Sequence, residues 1–151
     1  MTHSVDVEYA CKLSDLPTQD DFAYWVATAV GDRRDTSKVT LRLVDEVEAE
    51  ALNSRWLGKA YPTNVLAFPC ERLEATPEFL GDIVICAPLV LREAETQSKT
   101  ATAHWAHLVI HGTLHLLGFD HDLDEDAEQM EGIEIDALAR IGFSDPYVAR
   151  T

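Results

Sequence analysis

The chain has 151 residues, 46% of them hydrophobic, and a formal net charge of −15. That length suits one domain over 1–151 with one core, and the apolar content excludes a disordered chain. The charge argues against a broad nucleic-acid-binding surface, because phosphate backbones attract basic faces.

No apolar run approaches the roughly 20 residues of a membrane span. The opening M-T-H-S-V-D-V-E-Y has neither the basic start nor the apolar segment of a secretion signal. Val5 to Tyr9 alternates apolar and polar residues, the pattern of a half-buried strand. Asp20 to Gly31 carries Phe22, Trp25, Val26, Ala29 and Val30 at helical spacing, with Gly31 as the stop. Lys38 to Val44 alternates again and predicts a second strand. Asp45 is placed to cap a helix, with Glu48 completing a capping box, and that helix runs to about Gly58.

Pro62 to Pro69 reads P-T-N-V-L-A-F-P, a short strand bracketed by prolines and therefore suited to a sheet edge. Gly81 to Ala87 (G-D-I-V-I-C-A) reads as a fourth strand with a continuous apolar run, which predicts a central place. Pro88 opens a helix that weakens around Gln97-Ser98-Lys99. Thr100 or Thr102 opens another, which continues to Leu117. Asp122 and Asp124 are placed to cap a last helix whose apolar face is Met130, Ile133, Ala137, Leu138 and Ile141, closed by Gly142. Its acids (Glu125, Asp126, Glu128, Glu131 and Glu134) read as a solvated face. The sum is an α+β fold, a small mixed sheet of about four strands with packed helices.

Cys11, Cys70 and Cys86 are scattered and odd in number, and each sits in or beside an apolar run. They read as buried thiols of a reducing compartment, which points to a cytoplasmic protein. No C-x-x-C occurs, so zinc held by cysteine is not expected.

Residues 111–121 read H-G-T-L-H-L-L-G-F-D-H. The spacing is that of the zinc-protease motif H-E-x-x-H-x-x-G-x-x-H, but Gly112 stands where the proton-transferring glutamate belongs. His104, His107, His111 and His115 all fall on one helix. Residues four apart lie about 6 Å apart along the axis, so His111 and His115 reach one ion. Gly118 permits a left-handed turn that swings the chain back and brings His121 to the same point. Three neutral nitrogens with a fourth position open is the arrangement of catalytic zinc, at the end of a central helix. A fourth ligand from Asp120 or Asp122 would instead close a structural site. His107 and His115 are about 12 Å apart along the axis and do not share an ion. His104 and His107 therefore read as packing or hydrogen-bonding residues, with a supporting or substrate role as the lesser reading.

The histidine motif, preceded by G-D-I-V-I and by P-T-N-V-L-A-F-P, resembles the YbeY family of bacterial endoribonucleases, from about Val39 to Tyr147. The resemblance implies one zinc ion per chain, held by His111, His115 and His121. It implies a single-strand-specific RNase acting in ribosomal RNA maturation, at the small-subunit 3′ end, and in ribosome quality control. Ribosomal RNA and ribosomal or accessory assembly proteins are the partners it implies, with no DNA and no membrane.

The family run L-N-x-x-Y-R-G-K is here Leu52 to Lys59, L-N-S-R-W-L-G-K, with Leu57 at the functional arginine's position and Arg55 two residues earlier. Ala67 stands where serine is common. Arg55, Lys59 and Asp120 remain as candidate catalytic residues. Asp120 is a candidate base, with orientation of a histidine as its stronger reading. Loss of the protease glutamate removes the usual means of protonating a leaving amine and leaves Lewis acidity, which suits a phosphodiester. Two other readings stand beside this one: a metal-dependent hydrolase of another substrate such as a peptide, and a ribosome-assembly binding protein with structural zinc. The local basic cluster is Arg33, Arg34, Lys38 and Arg42, read as a solvated patch; recruitment by a basic assembly protein would reconcile the acidic chain with an RNA substrate.

Overall fold

A computed structural model describes residues 2–70, 77–120 and 123–147. Strands β1 (Thr2–Ala10), β2 (Thr36–Val44), β3 (Val65–Pro69) and β4 (Phe79–Cys86) form one sheet in the order β1-β2-β4-β3. The first three in that order run parallel, and β3 is antiparallel to β4. The apolar run of β4 lies between two neighbours, as fully apolar strands require. The proline-bracketed β3 takes an edge, where a missing N–H does little harm.

Helices α1 (Gln19–Val30), α2 (Glu46–Leu57), α3 (Ala87–Thr96), α4 (Ala101–Leu116) and α5 (Asp124–Arg140) complete the α+β domain. Helix α4 is the centre of the larger core. Trp105, Ala106, Val109, Ile110 and Leu114 are buried along it. Phe22 of α1 meets both Trp25 and Trp105 edge-to-face, at 5.5 and 5.7 Å between ring centroids, an arrangement aromatic pairs favour. The opposite sheet face carries a smaller core in which Ala49 of α2 packs with Val44, Leu66, Val84 and Cys86.

Gly81 is where the two strands beside the site come closest. Its φ is +144°, and a Cβ there would lie 2.3 Å from the carbonyl oxygen of Phe68. Only glycine lets β3 pass at this distance.

Three local expectations need correction. Asp45 is the N-cap of α2 but makes no side-chain cap; its carboxylate accepts from the backbone N–H of Lys12 at 3.2 Å. Glu48 turns to Arg42 instead, accepting from Nε at 2.5 Å and Nη2 at 2.8 Å. A bidentate charged pair outcompetes a cap, and the capping box forms at Thr18 and Asp21 on α1. Leu123 is the N-cap of α5, with Asp124 already in the first turn, and Asp122 lies outside the described residues. Of the cysteines only Cys86 is buried; Cys11 and Cys70 are half-buried, and no disulfide forms between the three.

Candidate metal centre

The four helix histidines form a stripe along α4, at the three- and four-residue intervals that share a helix face. His104 is tied to α3, and His107 and His111 to α5. His104 is buried, and its Nε2 donates to Oε1 of Glu93 on α3 at 2.9 Å. Glu93 also accepts from the side chain of Asn64, at 3.1 Å, just before β3. Burial pushes the Glu93 carboxyl up, but these two hydrogen bonds outweigh it and hold the group below its ordinary value. His104 thus braces the segment that leads into β3.

The next two histidines share one carboxylate. His107 Nε2 donates to Glu134 Oε1 at 2.8 Å, and His111 Nδ1 donates to the same oxygen at 3.1 Å. The Tyr147 hydroxyl donates to both carboxylate oxygens, at 3.1 and 3.0 Å. Glu134 is 1% exposed, which overturns its assignment to the solvated face of α5. The reason is helical spacing: Glu134 falls four residues after Met130 and four before Leu138, on the face that packs against α4. Burial alone pushes its carboxyl up, yet the hydrogen bonds from His107 and His111 prevail and bring it to about 2. A buried carboxylate tolerates ionisation when donors surround it.

Burial acts on two partners of Glu134 as well. Burial lowers the His107 pKa, against the pull of Glu134, so that ring is neutral and its proton sits at Nε2. Burial and the Glu134 charge push the Tyr147 phenol up, so it remains a donor. When the Nδ1 of His111 donates to Glu134, the neutral tautomer of that ring carries its lone pair on Nε2.

That lone pair faces the next histidine. His111 Nε2 and His115 Nε2 are 3.1 Å apart, and the ring centroids 4.6 Å. Two ligands at about 2.0–2.1 Å from a single zinc ion span such a separation. Neutral, carboxylate-oriented imidazole is the donor chemistry zinc takes, so the residues present fit the ion. The chain then turns as its sequence requires: Gly118 has φ +102°, and the Phe119 N–H reaches back to the carbonyl of Leu114 at 3.1 Å. The third expected ligand, His121, lies outside the described residues, and no group of three His, Cys, Asp or Glu side chains able to hold a metal forms among the described ones.

Gly112 explains the altered protease motif. A Cβ at this position would stand 3.1 Å from Cγ2 and 3.2 Å from Cδ1 of Ile83 on β4. Helix and sheet approach so closely that any side chain there would press on Ile83.

A groove of about 450 Å³ opens beside the pair, with His111, Gly112 and His115 on one wall, β3 and the residues before it on another, and Trp56 and Leu57 at the end of α2. Arg55 and Lys59 are exposed and do not line it; the Arg55 guanidinium lies 5.3 Å from the centre of the Trp56 ring. Leu57, at the position where an arginine was expected, does line it. Asp120 is exposed beyond the turn. Of the basic cluster, Arg42 is paired with Glu8 and Glu48, Arg33 lies over the Phe119 ring and Lys38 is exposed. Glu134 and Tyr147 are the site residues that the sequence reading missed. The period of α5 carried the signal for Glu134; nothing local marked Tyr147.

The fold and site together define an α+β domain with an oriented histidine pair in an open groove. The family model described as Endoribonuclease YbeY matches residues 10–142, and the chain belongs to that family. The chain is also similar to a solved structure, the solution structure of TM1509 from Thermotoga maritima, at 23% identity with a TM-score of 0.58; the match covers 94% of this chain and 99% of that one. At that identity the likeness is one of fold. Among the described residues, no helix is long and apolar enough to cross a membrane.

Proposed function

We propose that this protein is a zinc-dependent, single-strand-specific endoribonuclease acting in ribosomal RNA maturation, at the small-subunit 3′ end, and in ribosome quality control. The observation that carries the proposal is the 3.1 Å approach of the His111 and His115 Nε2 atoms, with the His111 ring oriented by Glu134. His111, His115 and His121 would hold one zinc ion per chain. Bound there, zinc supplies Lewis acidity towards a scissile phosphodiester.

The chain's own residues define the rest. Glu134 fixes the ring and tautomer of His111, and His107 and Tyr147 keep the carboxylate ionised and in place. The groove admits a strand to the histidines from the side of β3 and α2. Gly112 bears no side chain able to protonate a leaving amine, which favours a phosphodiester over a peptide. Asp120 stands one residue before His121 in the chain and is assigned to orienting that histidine rather than to proton transfer.

Zinc and nuclease activity are tested together. Purified protein is assayed for metal content and for cleavage of single-stranded RNA and of peptides, beside His115→Ala. About one zinc per chain, with RNA cleavage lost in the variant, supports the proposal. Peptide cleavage without RNA cleavage, or ribosome association that survives His115→Ala with no turnover by the wild type, defeats it. The charge of −15 supports delivery by a basic ribosomal or accessory protein in the cytoplasm, so activity on ribosomal particles should exceed that on equal free RNA.

A further inference from the structure

The groove that leads to the histidines has an unusual wall for an enzyme of nucleic acids. No lysine or arginine lines it among the described residues. Its outer end is aromatic instead. Trp56 is 58% exposed, although large aromatic side chains are usually buried, and it closes the last turn of α2 where Gly58, at φ +69°, ends the helix. Phe68 of β3 meets the indole edge-to-face, with centroids 5.9 Å apart, and so sets its angle. Arg55 places a cation 5.3 Å from the same ring. The groove itself, at about 450 Å³, falls within the roughly 300–1,000 Å³ of small-ligand clefts.

An exposed, braced aromatic ring in a groove whose described lining holds no cation points to one kind of affinity. A duplex presents phosphates outside and keeps its bases stacked on one another, so an aromatic wall gains little from it. An unpaired base offers a flat face, and stacking on an aromatic side chain is tolerant of sequence and requires little attraction to phosphate. The strongly acidic chain makes that route more important here, because counterion release contributes little. Trp56, Leu57 and Phe68 line the same groove as His111 and His115, so whatever stacks on Trp56 shares that groove with the histidines.

We propose that Trp56, braced by Phe68, is a base-stacking subsite that takes an unpaired nucleobase of an RNA strand whose backbone continues to the His111–His115 pair. The proposal rests on the endoribonuclease reading and gives that reading a physical origin for single-strand preference. Arg55 assists as the cation beside the stack, in contact with the ring or with the adjoining phosphate.

The two other tryptophans, Trp25 and Trp105, are 4% and 2% exposed, so quenching of exposed indole fluorescence reports on Trp56. Three probes are titrated: a 2′-O-methyl oligoadenylate, the same strand paired with its complement, and an abasic strand of equal length. The single strand should quench the fluorescence of the wild type. Labelled-probe anisotropy should show Trp56→Ala binding it about tenfold more weakly, the loss of one base stack, with an unchanged salt slope. Trp56→Phe should recover most of the affinity. The duplex and the abasic strand should bind the wild type no better than the single strand binds Trp56→Ala. Unchanged affinity in Trp56→Ala, or abasic binding equal to that of the parent strand, overturns the subsite. Preferential capture of an extended peptide along the β3 edge overturns it too. Cleavage of RNA by the wild type and by His115→Ala is measured in parallel. Quenching without any cleavage defeats the nuclease reading and spares the subsite; cleavage with intact Trp56→Ala affinity defeats the subsite alone.

Discussion

The Nδ1 of His111 on α4 donates to Oε1 of Glu134 on α5 across 3.1 Å. This one bond sets which nitrogen of His111 can act as a ligand. Carboxylates that hold a ligating histidine typically contribute 10–100-fold to metal affinity. Glu134→Ala should therefore weaken zinc binding roughly tenfold or more in a competitive chelator titration, while Glu134→Gln, whose amide oxygen can still accept, should lose less. Wild-type affinity in the alanine variant would show that the bond does not orient the ligand.

The same carboxylate should leave a mark on acid stability. Its folded pKa of about 2 lies below the ordinary value of 4.5. A depressed folded pKa gives stability that is present above the unfolded value and is lost as pH falls towards the folded one. In metal-free protein, the advantage of the wild type over Glu134→Gln should shrink by about 3 kcal/mol between pH 5 and pH 2. Urea unfolding at a series of pH values measures it. A constant difference would mean that Glu134 is not ionised in the folded state.

Gly112 faces Ile83 at a distance that leaves no slack. Alanine in a helix interior normally gains roughly 0.5–1 kcal/mol over glycine. Here overpacking, which typically costs about 1–3 kcal/mol, should reverse that sign and leave Gly112→Ala destabilised by about 1 kcal/mol. Trimming the neighbour with Ile83→Val should relieve part of the strain, so the double variant should be more stable than the sum of the single changes. Strict additivity in denaturant unfolding would rule out the contact as the cause.

Leu57 lines the groove that holds His111 and His115. A cation there would stand where charge develops on a phosphodiester in its transition state, and preorganised donors of that kind are worth large rate factors. Leu57→Arg should raise RNA cleavage roughly tenfold at matched zinc content. Lys59→Ala, exposed and away from the groove, should leave the rate unchanged, and Arg55→Ala should act on strand affinity through Trp56. No gain from Leu57→Arg would mean that the leucine position is not a vacated arginine site.

The sheet and the approach of two histidines were legible because each rests on a short-range pattern. Alternation placed β1 and β2, the apolar run placed β4 at the centre, and the prolines placed β3 at an edge. His111 and His115 follow from one helical period, and Gly118 makes the expected left-handed turn. Glu134 was misread because a run of acids looks like a solvated face; one of its members instead shares the helix face of Met130 and Leu138. The Asp45 cap failed for a similar reason, since the competitor for Glu48 was Arg42 on the adjoining strand. Tyr147 reaches a site 40 residues away from its partner His107, a relation that only the folded chain creates.

That distance along the chain has a consequence for synthesis. A polypeptide still growing on the ribosome completes α4, with His111 and His115, before it adds the Glu134 that accepts from His111 and the Tyr147 that donates to Glu134. A nascent chain halted between Leu116 and Glu134 contains both histidines in its sequence, yet lacks the carboxylate that accepts from His111. The contact that fixes the His111 ring is therefore among the last that synthesis makes available.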